Sequence, residues 1–259
     1  MTATSPARIE WRVASVLKIV PETPHTRTLL LEVPDWPGHR PGDHVDVRLT
    51  AEDGYQTERS YSIASPPENP QLALTVERLT EGEVSPYLTD ELRPGDQLEI
   101  RGPIGGYFVW DISVGGPLLL IGGGSGIVPL MAMLRHRDAA LGQQDTANRQ
   151  RLPTRLLYSS RRWEDIIYRD ELAHLAAKDS ALEVVHTLTR EPPPGWTGFR
   201  RRIDYMMLSE VAWPATQIPH IFVCGPTALV ESVATTLVEL GHQPALIKTE
   251  RFGPSGGTA

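Results

Sequence analysis

A single cysteine, Cys224, stands in 259 residues, so this chain alone cannot build an intramolecular disulfide, a thiolate zinc site or a four-cysteine iron–sulfur cluster. That usage fits a reducing compartment, and the cytoplasm is the expected location. Excess positive charge is missing too: 25 Lys and Arg stand against 32 Asp and Glu, a formal net charge of −7. Such a balance disfavours nucleic acid, which needs a basic face to displace counterions. Residues 1–11 carry Arg8 and Glu10 and lack the apolar stretch of an export signal. One uncharged run, residues 114–134, is as long as a membrane span, but it contains six glycines and two prolines. A helix so interrupted would leave backbone unpaired in lipid, and no membrane association is expected. His136, His174, His186, His220 and His242 show no ligand spacing, so no metal is expected.

What is present is an ordinary globular composition, 40% hydrophobic and 22% charged, in a chain long enough for two cores. Apolar residues alternate or cluster at 11–20, 28–33, 44–49, 60–64, 72–79 and 97–101. Between them lie turns such as Arg40-Pro41-Gly42-Asp43 and Arg93-Pro94-Gly95-Asp96. Short strands at this spacing predict an antiparallel β-barrel with one helical segment near 85–92. From Gly116 the rhythm becomes strand, loop, helix. Strands are expected at 117–121, 155–158, 182–188, 221–224 and 245–249, and helices at 127–141, 167–177 and 228–240, with a short one after the third strand. Alternation of this kind predicts an α/β domain, a parallel sheet with helices on both faces and ligands at the carboxyl ends of its strands. The expected domains are therefore 1–113 and 114–259, with residues 142–151 and 191–196 as loops.

Gly122-Gly123-Gly124-Ser125-Gly126 follows an apolar strand and opens a helix. Its backbone N–H groups suit an anionic group such as a pyrophosphate, and a tight turn chosen for close packing explains the same glycines. The run departs from the usual dinucleotide fingerprint by continuing Ile127-Val128-Pro129. Four further segments accompany it: Arg59-Ser60-Tyr61-Ser62, Gly82-Glu83-Val84-Ser85, Cys224-Gly225-Pro226 and Glu250-Arg251-Phe252. In this order they resemble the ferredoxin-NADP reductase superfamily, a flavin-binding barrel followed by a nicotinamide-binding α/β domain, over about residues 9–252.

The resemblance implies FAD as cofactor, with Arg59 on its pyrophosphate, Tyr61 against the isoalloxazine and Ser62 near flavin N5. It also implies Val76 and Arg78 along the ring edge, and Gly82, Val84 and Ser85 at the phosphates, where Ser85 as a simple N-cap is the competing reading. Gly123, Gly124 and Ser125 would hold the dinucleotide. Cys224, Gly225 and Pro226 would line the hydride-transfer position, with Glu250 relaying protons and Phe252 covering the flavin. Here the chain continues through residues 253–259, past the aromatic with which some members end. Ser160 and Arg161, with Arg190 or Arg202, suit a 2′-phosphate, so NADPH is expected over NADH, with NADH still open. Surface arginines, a core tyrosine and a core cysteine are the plain alternatives for these positions. The implied activity is hydride transfer from NADPH to FAD, then electron delivery to a separate carrier protein or oxygenase component, since no internal iron–sulfur cluster is available. Reduction of a free small molecule, or a non-catalytic nucleotide-binding module, would use the same fold.

Overall fold

A computed structural model describes residues 9–143 and 152–252. Most of the loop expected at 142–151, the extension 253–259 and the first eight residues lie outside the described residues. Six antiparallel strands form the first half: β1 (Trp11–Thr23), β2 (Thr26–Glu32), β3 (His44–Thr50), β4 (Gln56–Ser62), β5 (Leu72–Glu77) and β6 (Gln97–Ile104). Their order is β4-β3-β6-β1-β2-β5. A single bridge, Ile63 to Leu74, joins the two outer strands and closes the barrel. Alternate residues point inward, so Ala14, Leu29, Leu31, Val45, Val47, Leu74, Val76 and Ile100 make one apolar core. A short helix α1 (Val84–Pro86) and a π turn at Tyr87–Glu91 cover one end with Leu88 and Leu92.

The second half is a five-stranded parallel sheet, β7 (Leu118–Gly123), β8 (Thr154–Ser160), β9 (Leu182–Leu188), β10 (His220–Pro226) and β11 (Ile247–Phe252), in the order β11-β10-β7-β8-β9. Its inner strands are buried on both faces, which is why β7 reads as the unbroken apolar run Leu118-Leu119-Leu120-Ile121. Leu120, Leu156 and Phe222 meet helices α2 (Ile127–Gln143) and α3 (Arg169–Lys178) on one side. Leu119, Leu157 and Val223 meet α4 (Tyr205–Val211) and α5 (Thr227–Glu239) on the other. The uncharged run at 114–134 is thus a strand, the glycine loop and the start of a helix, and among the described residues no helix is long and apolar enough to cross a membrane.

Strand order reverses between β7 and β10, so their connections leave in opposite directions and open a crevice at the carboxyl ends. The glycine loop and Cys224-Gly225-Pro226 both end there. Arg135 donates to the Ala64 carbonyl at 2.7 Å, Lys248 to the Val109 carbonyl at 2.9 Å, and Phe108 meets Phe222 edge-on at 5.3 Å. These contacts seat the barrel against the α2 side of the sheet.

Two of the differences from expectation have a clear local cause. β4 starts at Gln56 rather than Ser60, because its first five residues are largely exposed and carry no apolar period. Their pairing with β3, from Thr50↔Gln56 to His44↔Ser62, makes them a strand. Helix α3 starts at Arg169 rather than Ile167, since Tyr168 holds a left-handed backbone, φ 58° and ψ 26°.

Candidate functional site

Beyond the Ile63–Leu74 bridge, β4 and β5 separate instead of continuing to pair. Running back from Ile63, Ser62, Tyr61 and Arg59 line one margin of that opening, while Thr75, Val76, Glu77 and Arg78 line the other. The sequence motifs from distant segments therefore converge on one break in the barrel wall. The Ser62 hydroxyl is buried at 5% exposure and has no hydrogen-bond partner among the described residues. An orphan hydroxyl costs free energy, so its burial at the head of this opening fits a polar ring edge docking there. Tyr61 packs on the barrel core, and burial pushes its phenol above the usual range. Arg59 is exposed and donates to the Glu58 carbonyl at 2.7 Å, with Glu83 Oε2 3.9 Å away. Among the described residues none of its partners is buried, so the guanidinium can turn from them to an anion at the α1 end.

The surroundings of three expected contact residues narrow how each could act. Val76 is fully buried in the barrel core, so only its backbone faces the opening. The Ser60 hydroxyl donates to Asp46 Oδ1 at 2.6 Å on the neighbouring strand, inside a network with Arg101. Ser85 is not an N-cap: Glu83 precedes α1 without a side-chain cap, and the Ser85 hydroxyl accepts the Leu79 N–H at 3.0 Å. Its own proton is still available for donation. Arg78 pairs with Asp90 at 2.7 Å and stays partly exposed, while Gly82 and Val84 frame the same corner.

At the switch point the sheet is paved without side chains. A Cβ on Gly126 would meet the Cys224 carbonyl oxygen at 2.2 Å, and one on Gly225, at φ 152°, would meet Gly123 at 3.1 Å. The loop and the end of β10 are therefore in backbone contact, with Gly124 and Ser125 partly exposed above them. Cys224 lies beside Glu250 in register, and its thiol donates to Glu250 Oε2 at 3.9 Å. Burial, followed by the neighbouring carboxylate, pushes the thiol well above its ordinary value, so it stays protonated and is no nucleophile. Burial also pushes the Glu250 carboxyl up to about 7, against the opposing pull of the thiol hydrogen bond. Phe252 pairs in register with exposed Pro226 and packs on the cluster that contains Cys224 and Ala64.

At the far end of the sheet, Ser160 is buried and Arg161 and Arg190 are exposed. The Arg190 N–H donates to the Arg161 carbonyl at 2.9 Å, which brings these two residues together at the ends of β8 and β9. Sequence reading missed Tyr158, Tyr168 and Glu77. Burial pushes the Tyr158 phenol upward, and its hydroxyl donates to the Gly124 carbonyl at 3.0 Å. Glu77 Oε2 comes within 3.7 Å of where a Cβ on Gly124 would be. No local pattern marks these residues, since each acts on a segment far away in sequence. Among the described residues no group of three or more His, Cys, Asp or Glu is arranged to hold a metal ion.

Comparison with known proteins agrees with this geometry. Residues 16–109 match the oxidoreductase FAD-binding domain and residues 120–235 the oxidoreductase NAD-binding domain. Ferredoxin–NADP reductase B of Sorangium cellulosum is 33% identical over 247 residues, covering 92% of this chain and 96% of that protein. The chain belongs to the ferredoxin-NADP reductase superfamily. Another superfamily relative, the glycine betaine monooxygenase reductase subunit of Chromohalobacter salexigens, is 32% identical over 242 residues, 92% of this chain. The chain spans only 63% of that subunit's length. The cytochrome P450 reductase GcoB of Amycolatopsis superposes with a TM-score of 0.79 at 26% identity, covering 96% of this chain and 71% of that one.

Proposed function

We propose that this chain is a cytoplasmic reductase that takes hydride from NADPH onto FAD and delivers electrons to a separate carrier protein or oxygenase component. The observation that carries it is the break between β4 and β5, with an unpartnered buried Ser62 hydroxyl at its head. FAD, when bound, accepts hydride and releases electrons singly, which matches a two-electron donor to a one-electron acceptor. We place the division between the halves at 113/114, between the last barrel strand and β7.

Arg59 would hold the FAD pyrophosphate, aided by the Gly82–Ser85 corner, and Tyr61 would support the ring. The β5 edge would supply backbone groups along Val76 and Arg78. Ser62 would present its hydroxyl to the reacting edge of the ring. On the sheet side, Gly123, Gly124 and Ser125 would take the dinucleotide pyrophosphate, and Gly225 and Pro226 leave room for the nicotinamide. Cys224 would fix the approach by packing, since its thiol stays protonated. Glu250, with a carboxyl near 7, can take up or give a proton at Oε2 near neutrality. Phe252 would shield the ring and step aside for the nicotinamide. Arg161 and Arg190, joined by their backbones, favour NADPH over NADH together with Ser160, because guanidiniums suit a phosphate and residues 159–163 at the end of β8 carry no carboxylate for a ribose diol.

Anaerobic titration of the FAD-loaded protein with NADPH and NADH tests this reading. Bleaching of the flavin spectrum by NADPH, then reoxidation by a carrier protein, is expected. A spectrum that neither dinucleotide changes would overturn it.

A further inference from the structure

The glycine loop and the barrel opening are joined by two runs of hydrogen bonds, linked through the covalent step from Ile167 to Tyr168, that none of the roles above uses. It starts at the Gly124 carbonyl, which accepts the Tyr158 hydroxyl at 3.0 Å. The Tyr158 oxygen in turn accepts the Ile167 N–H at 3.4 Å. The next residue, Tyr168, crosses between the halves and donates its hydroxyl to Thr75 Oγ1 on β5. Thr75 and Thr28 are 2.8 Å apart, and Thr28 donates to Glu22 Oε1 at 2.7 Å. Each hydroxyl has one proton, so with Thr28 committed to Glu22, the bond between the threonines is donated by Thr75, which leaves its oxygen to accept from Tyr168. Every donor in this stretch thus has one fixed direction.

We propose that Tyr168 is a positioning residue whose bond to Thr75 sets the spacing between the glycine loop and the β4–β5 opening, and so the gap a hydride must cross. This rests on the function proposed above. Thr75 is the first β5 residue beyond the Ile63–Leu74 bridge, directly across the opening from Ser62. Tyr168 is 3% exposed and holds a left-handed backbone that only glycine adopts without strain. Such a conformation persists where the surroundings fix it on several sides. They do so here: the Arg135 guanidinium lies 4.7 Å over the Tyr168 ring while bonding both Glu171 and the Ala64 carbonyl. The side chain is clamped between α2, α3 and the barrel, with its hydroxyl as the contact that reaches β5.

The test uses FAD-loaded protein, NADPH and 4-deuterated NADPH in anaerobic stopped flow, comparing Tyr168→Phe, Thr75→Val and Thr75→Ser with wild type. Tyr168→Phe and Thr75→Val are each expected to lower the limiting bleaching rate about tenfold, since a small misplacement of reacting atoms is costly. The deuterium effect should rise, and the NADPH dissociation constant should stay within about twofold. Combining the two changes should add little beyond either one, and Thr75→Ser, which keeps the hydroxyl, should retain the wild-type rate. In the flavin-free protein, amide exchange should quicken together in residues 72–78 and 122–128 of Tyr168→Phe, a coupling that a purely local packing role would not produce. Unchanged limiting rates in both Tyr168→Phe and Thr75→Val would overturn the proposal. If Tyr168→Phe does not fold, the contrast between Thr75→Ser and Thr75→Val decides. Failure of wild type to bleach at all would instead remove the function on which the proposal rests.

Discussion

In the barrel half the candidate site is a place where backbone pairing stops, whereas in the sheet half it is a place where side chains are missing. β4 and β5 part after one bridge, and the margins they expose carry Arg59, Tyr61 and Ser62. β7 and β10 stay paired to Gly122↔Cys224, and past that pair glycine packs against glycine. The first kind of site tolerates change in its exposed side chains without loss of the fold. The second does not, because its shape is the backbone itself.

The sharpest break of this contrast is at Gly126. A Cβ there meets Cys224 backbone at 2.2 Å and Gly225 Cα at 2.7 Å, and neither can yield as a side-chain tip would. Gly126→Ala is expected to destabilise the chain by about 3 kcal/mol or more and to abolish dinucleotide binding, since overpacking against backbone exceeds the usual cost. Urea unfolding with calorimetric titration of NADP⁺ reads both. A variant that binds normally at wild-type stability would show that the loop and β10 are not in contact.

Arg59 and Val76 sharpen the comparison within the barrel. Arg59 is exposed, so Arg59→Ala should leave stability within about 0.5 kcal/mol and weaken FAD retention about ten- to a hundredfold, as for a lost charged hydrogen bond. Val76 is fully buried, so Val76→Ala should cost roughly 1–3 kcal/mol while its backbone contact survives. Equilibrium dialysis of FAD beside thermal melts separates the two. The reverse pattern would mean that the opening is not the flavin site.

These two residues also show what is legible in a sequence. Arg59, Tyr61 and Ser62 can be found because a strand displays its side chains in a fixed order, and the glycine loop because glycine next to an apolar strand has few other uses. Val76 belongs to the same neighbourhood, but its direction depends on strand parity relative to a barrel not yet folded. β4 reads short in the sequence because residues 56–60 are largely exposed and have no hydrophobic period. Ile166-Ile167-Tyr168 reads as the apolar start of a helix, yet Tyr168 is left-handed because its ring is held by Arg135 and its hydroxyl by Thr75. Such partners lie in other elements, and no local pattern announces them.

Glu250 carries the pH dependence, on the sheet side. Burial raises its carboxyl from the ordinary 4.5 to about 7. A group raised in the folded state gives its full stabilisation below its unfolded value and loses it as pH climbs through the folded value. In the chain without dinucleotide, wild type should therefore lose stability relative to Glu250→Gln between pH 4.5 and about 7, by roughly 1–3 kcal/mol. Denaturant melts across that range measure it. A constant difference between the two proteins would show that Glu250 is solvated in the folded chain.

The smallest expected change is the most discriminating for the barrel. Ser62 buries a hydroxyl that has no partner among the described residues, so Ser62→Ala removes that group and leaves packing almost intact. The flavin-free variant should be as stable as wild type or more stable by up to about 1 kcal/mol, because deleting an orphan polar atom relieves its desolvation. With FAD bound the sign should reverse, since the hydroxyl then has a partner whose loss is felt, and bleaching by NADPH should slow. Thermal melts with and without FAD measure the crossing. A variant that loses stability equally in both states would mean that Ser62 already has its partner inside the barrel, and the opening between β4 and β5 would lose the buried hydroxyl that marks its head as a binding site.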